Sequence, residues 1–131
     1  MNQQLLLQQL KKWFLLHFIL GIIFALPLLF IPEIILPLFG WASFDPIMPR
    51  LVGAALFGIG TKSLLTKNDN VSVYRAMLDL KILWASAAIV AITIGLFKSA
   101  PIASVVFLVI FVLFWFLWVY YRILVSRVEL E

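Results

Sequence analysis

"RLVGAALFGIGTKSLL", residues Arg50–Leu65, carries glycines at Gly53, Gly58 and Gly60 and closes on Lys62 and Ser63. Two structures can be built on such a run, a loop that cradles phosphate or a membrane helix lined with small residues. A phosphate loop needs G-x-x-x-x-G-K-[ST] between a strand and a helix. Gly53 and Gly58 have that glycine spacing, but Ile59 stands where the lysine belongs and Lys62 comes too late. The run also sits in an unbroken apolar stretch. It reads as a helix in hydrocarbon, and the rest of the chain follows from that reading.

The composition agrees. The 131 residues are 65% hydrophobic and 12% charged, and mean hydropathy is +1.14. Soluble domains run nearer 45–50% apolar with about 25% charged, and so small a soluble fold could not hide this much apolar surface. The absence of cysteine excludes disulfides, thiol catalysis and thiolate metal sites. A net charge of +4 in a soluble chain would point to nucleic acid. Here the basic residues stand at the ends of apolar runs, which points to anionic lipid head groups instead.

A helix needs about 20 residues to cross a core about 30 Å thick. Four runs qualify: Trp13 to Ile31, Pro49 to Thr66, Val73 to Phe97 and Pro101 to Val125. The expected fold is all-α, a polytopic membrane protein folded as a four-transmembrane-helix antiparallel bundle in a single transmembrane domain. The first run is too long for a cleaved signal and lacks a small-residue cleavage site. The residues before Lys11 read either as a short amphipathic lead-in or as the first turns of span one.

Of the ten basic residues, four spans place only Arg50 and Lys98 on one side. Lys11, Lys12, Lys62, Lys67, Arg75, Lys81, Arg122 and Arg127 fall on the other. Basic residues favour the cytoplasmic face, so both termini are expected there, in a prokaryotic plasma membrane. Lys67–Asn70 reads as a tight polar turn, and Pro101 suits the first turn of span four. The segment from Pro32 to Pro49 is longer and greasier. Pro27, Pro32 and Pro37 are expected to break regular helix, with Phe39, Trp41 and Phe44 at head-group depth on the outer side.

Ala54 and Gly58 lie four residues apart and share a helix face. Span three carries a matching stripe, Ala87, Ala91 and Gly95. Small residues let helix backbones approach closely in lipid, so these stripes are expected to pack, with each other or with a second copy.

Ionisable groups inside a membrane are costly and need an account. Asp79 stands one turn after Arg75, and counting back through the Lys67–Asn70 turn brings Lys62 near it. The expected arrangement is a Lys62–Asp79–Arg75 staple across the hairpin. The functional alternative is a head-group or anion site with Lys62, Arg75 and Lys81 as donors and Asp79 orienting them. His17 is the single histidine, and without cysteine or a carboxylate at ligand spacing it makes no metal site. Glu33, Asp45 and Arg50 can pair to close the first loop. In span four, Phe107, Phe111, Phe114 and Trp118 recur along one face, a packing stripe or a groove for a flat ligand such as a quinone or sterol.

The stretch "DPIMPRLVGAALFGIGTKSLL" with "YRAML" and "KILW" after it, from Asp45 to Trp84, resembles the DoxX-like group of small four-span prokaryotic membrane proteins. The likeness rests on the Pro49–Arg50 entry, the small-residue run Gly53 to Gly60 and the flanks Arg75 and Lys81, about a third of the chain. It implies a compact four-helix bundle and, for some members, association with redox or respiratory complexes.

No nucleophile–base pair, cofactor motif or metal constellation is visible, so no enzyme activity is expected. The function expected is that of a structural or accessory membrane protein acting through helix–helix contacts, with membrane lipids, a second copy or a membrane-complex subunit as partners and no nucleic acid. The alternatives are a binder of lipid, quinone or another hydrophobic ligand, and a small oligomeric transporter or channel, for which a monomer of four spans lacks a polar lining.

Overall fold

The computed structural model describes residues 2–66 and 70–128. Among them five α-helices follow one another: α1 (Gln3–Phe30), α2 (Pro32–Leu38), α3 (Met48–Leu65), α4 (Val71–Phe97) and α5 (Ser104–Val128). No strand occurs among the described residues. Three helices, α1, α4 and α5, are long and apolar enough to cross a membrane. At most 17% of their most apolar windows is buried inside the protein, so most of this surface faces outward, as hydrocarbon rather than water requires. Helix α3, of 18 residues, is not one of the three; Arg50 and Lys62 inside it make it less apolar than they are.

The chain groups into two compact units. One joins the turns of α1 through Leu10 to α4 and α5; the other joins α1 from Lys11 onward to α2 and α3. Their helix ends have identifiable causes. Asn2 Oδ1 accepts the Gln4 amide at 3.1 Å, and Asn70 caps α4 by accepting from Val73 N at 3.2 Å. Such caps satisfy amides that a helix leaves without partners. Helix α4 stops at Ser99, whose φ of 69° is left-handed, and Ala100 N donates to Gly95 O at 2.9 Å. This is the usual closure of a helix C-terminus on a residue of positive φ.

Several expectations change in detail. Of the two readings of the residues before Lys11, the helical one holds: from Gln3 they are the first turns of α1. Pro27 does not end the helix: α1 runs on to Phe30, and Ile31 N donates to Pro27 O at 2.9 Å. A proline removes only its own amide from the ladder, and here it falls in the last turns of a long helix. Pro32 opens α2 at a position where its missing N–H costs nothing, and Pro37 lies within α2. The expected outer loop thus contains a helix of 7 residues. Pro101 precedes α5 instead of standing in its first turn; Ser104 N donates to its carbonyl at 2.9 Å. Of the polar turn expected at Lys67–Asn70, only Asn70 lies inside the described residues.

Candidate functional site

Helix α4 buries Val71, Tyr74, Leu78, Lys81 and Ala85. Their spacing alternates between three and four, which puts them on one stripe. Helix α5 answers with Trp118, Tyr121 and Val125, all buried. The contacts between them run antiparallel. Trp115 Nε1 donates to Ser86 Oγ at 2.8 Å, the Lys81 ammonium sits 5.0 Å from the Trp118 ring centroid, and Arg122 Nε meets Asp79 Oδ1 at 2.6 Å.

Lys81 is the most unusual member, since only 1% of it is exposed. Its aliphatic stem can pack like a hydrophobic side chain while the head rests on an aromatic face. Trp supplies the strongest such face, because the negative side of its π-quadrupole attracts a cation. Trp118 is fully enclosed and stacks on Phe114 with ring centroids 5.5 Å apart. The ring is thus engaged from within the chain by both Phe114 and Lys81. Nearer the α5 terminus, the Arg122 guanidinium also donates to Ser126 Oγ. Tyr121 OH donates to Gln9 Oε1 at 3.2 Å, which ties the first turns of α1 to this hairpin.

Asp79 and Lys81 both reach α5. The acid's ion pair is with Arg122, which the sequence reading counts only among the basic residues of the cytoplasmic side. Arg75 is exposed on α4, and Lys62 is exposed on α3 in the other unit. Counting outward from the Lys98–Pro101 turn places Tyr120 opposite Asp79, with Arg122 two residues further along α5 and within a turn of it. That signal was present in the sequence.

Hydroxyl groups on the helices turn back on their own backbone. Ser63 donates to Ile59 O, Thr66 to Lys62 O, Ser86 to Ile82 O and Thr93 to Ile89 O, each at 2.7–2.8 Å. This is how a short polar side chain is kept satisfied in an apolar helix, and Ser86 Oγ in addition accepts from Trp115 of α5.

In the other unit, helices α1 and α3 pack antiparallel with almost nothing between them. A Cβ placed on Gly53 would lie 2.8 Å from Ala25 O and 2.8 Å from Leu29 N. Gly21 faces Leu56 O, and Gly60 faces Phe18. The close approach uses Gly53 and Gly60, which share one face at a spacing of seven. Ala54 and Gly58 are exposed, and a Cβ on Gly58 would meet nothing within 4 Å. On α4, Ala87 and Ala91 are exposed as well, while Gly95 lies half-buried against the Ala100 side chain.

At the far end of this unit, Arg50 Nη2 donates to Glu33 Oε1 at 2.7 Å and Nη1 donates to Pro46 O at 2.6 Å. Asp45 Oδ1 accepts from the Ile47 and Met48 amides at 2.7 and 3.0 Å. The pairing of Glu33 with Arg50 closes the segment between α1 and α3, and Asp45 serves the start of α3 instead. The Glu33 carboxyl is held below its ordinary 4.5, first by a hydrogen bond from its own backbone amide and next by Arg50.

Chemically, these arrangements position helices. The carboxylates of Asp79 and Glu33 are each engaged by a guanidinium. Among the described residues no three His, Asp or Glu side chains come together as a metal site would need, and His17 sits half-buried on α1. In comparisons with known proteins, no family model, no curated sequence and no solved structure matches this chain.

Proposed function

We propose that this protein is a small integral membrane protein with four spans, α1, α3, α4 and α5, that acts as a structural or accessory component through helix–helix contact. The observation that carries the reading is the backbone-on-backbone approach of α3 to α1. Because α1 is long and apolar enough to cross a membrane, a helix packed antiparallel against it at Phe18, Gly21 and Ala25 shares its solvent. Eighteen residues span about 27 Å, close to the thickness of the hydrocarbon core, with Arg50 and Lys62 near the two ends. The basic residues then favour cytoplasmic termini in a prokaryotic plasma membrane, and a four-span bundle is what the DoxX-like resemblance implies.

Contact is favoured over ligand binding by where the polar groups go. On the face of Phe107, Phe111, Phe114 and Trp118, the candidate groove for a flat ligand, the Trp118 ring is buried beside Lys81 within the chain, which favours packing there. Exposed Arg75 and Arg127 favour anionic lipid as a boundary partner. No reaction is assigned.

Native mass spectrometry from lipid nanodiscs tests this. A homo-oligomer, or a complex with another membrane protein, is the expected result. A monomer with no retained partner overturns it, and a retained quinone or other hydrophobic ligand replaces it with the binding role.

A further inference from the structure

We propose that α2 is a surface anchor, a short helix lying in the head-group region of the leaflet where α1 ends, with Ile34 and Leu38 in the acyl chains and the Glu33–Arg50 pair holding it to α3. The proposal rests on the reading of α1 as a membrane span.

The geometry leaves α2 few other places. Helix α1 ends at Phe30 and α2 begins at Pro32, so Ile31 alone turns the chain between them. A helix of 7 residues is only about 10 Å long, a third of the thickness needed to cross. It therefore stays at the boundary where the span ends. Ile34 and Leu38, four apart and on one side, are 61% and 76% exposed. Phe30, the last residue of α1, is 69% exposed and Ile31 is 42% exposed, so outward apolar side chains stand on both sides of the junction between α1 and α2.

That continuity selects lipid as the occupant. An interfacial helix buries its apolar face about 5–10 Å into the boundary between head groups and acyl chains, and α2 has the matching polar arrangement. Its final carbonyls are satisfied by Phe39 N to Leu36 O at 3.1 Å, Gly40 N to Pro37 O at 3.0 Å and Trp41 N to Leu36 O at 3.1 Å. Gly40, with φ 96°, turns the chain back in a conformation that a side chain would strain. Glu33 and Arg50 neutralise one another at 2.7 Å, which reduces the cost of holding charge beside the acyl region.

The chain has no cysteine, so single nitroxide labels can be placed directly. Labels at Leu38→Cys, Ser43→Cys and Ile23→Cys would be compared in vesicles of phosphatidylcholine and phosphatidylglycerol, by collision with oxygen and with a water-soluble nickel chelate. Ile34→Cys repeats the measurement if the Leu38 variant fails to fold. The expected result is a label at Leu38 that favours oxygen, as the α1 label at Ile23 does, at a depth of about 5–10 Å below the phosphates, while Ser43 favours nickel. A Leu38 label as open to nickel as Ser43 overturns the proposal, because α2 is then in water. A Leu38 label shielded from both reagents also overturns it, because a protein partner then covers α2. In both cases an oxygen-favouring Ile23 leaves the span intact; nickel preference at Ile23 brings down the span reading itself.

Discussion

Arg122 of α5 meets Asp79 of α4 at 2.6 Å, across the hairpin that the Lys98–Pro101 turn creates. The pair is half-exposed, with 21% of the arginine and 49% of the aspartate side chain accessible. It joins two long helices at the end where α4 begins and α5 finishes, and with the Lys81–Trp118 contact it sets their register.

Removing either partner of this pair leaves the other without its counter-charge. Asp79→Asn and Arg122→Gln are each expected to lower stability by about 1–3 kcal/mol, the range for breaking a charge-assisted hydrogen bond. The double variant is expected to lose less than the sum, with a coupling of about 0.5 kcal/mol or more. Thermal unfolding in detergent measures it. Strict additivity would mean that the contact carries no energy.

The two glycines of the Arg50–Leu65 stretch offer a matched comparison. Gly53→Ala places a methyl 2.8 Å from two backbone atoms of α1, and backbone cannot yield as a flexible side chain can. The expected loss is about 1–3 kcal/mol, as for other overpacking. Gly58→Ala meets open space and is expected to be neutral, or slightly stabilising through helix propensity. Equal effects at the two positions would contradict the α1–α3 packing described above.

Trp118→Ala combines loss of a fully enclosed ring with loss of the face under Lys81. Truncating a buried Trp costs about 3–5 kcal/mol. Trp118→Phe keeps an aromatic face, though a weaker one, and is expected to retain more than half of that stability. Unfolding by steric trapping in bilayers distinguishes the two. Were Phe no better than Ala, the aromatic contact with the ammonium would be irrelevant.

The Glu33–Arg50 contact should respond to acid. Because the carboxyl is held below its ordinary 4.5 in the folded chain, its contribution is fully present above that value. It is lost as pH falls through the lowered value. A spin label on α2 is expected to stay restrained above pH 4.5 and to gain mobility reversibly below it. Arg50→Gln should move the midpoint upward by part of the shift only, since the backbone amide of Glu33 contributes more than Arg50 does. A midpoint unchanged by Arg50→Gln would show that the guanidinium does not hold α2.

Much of this was legible in the residues. Apolar runs and the scarcity of charge announce long helices in hydrocarbon, because a backbone away from water must satisfy itself turn by turn. Three of the four expected spans, α1, α4 and α5, meet that test. Local chemistry was readable too: Asn70 caps α4, and the Lys98–Pro101 turn closes a hairpin. Pro27 does not end α1 because the hydrogen bonds of the other turns outweigh the one amide lost and the crowding of the ring against the preceding turn.

What the sequence by itself determined is the solvent and the helical segments, since both follow from the polarity and spacing of neighbouring residues. Which glycine touches α1, which arginine answers Asp79 and where the Lys81 ammonium rests were decided only by tertiary structure. These depend on the rotation of one helix against another, and a rotation of one residue exchanges Gly53 for Ala54 at the contact. No local pattern encodes that angle; it comes from the way two whole surfaces fit.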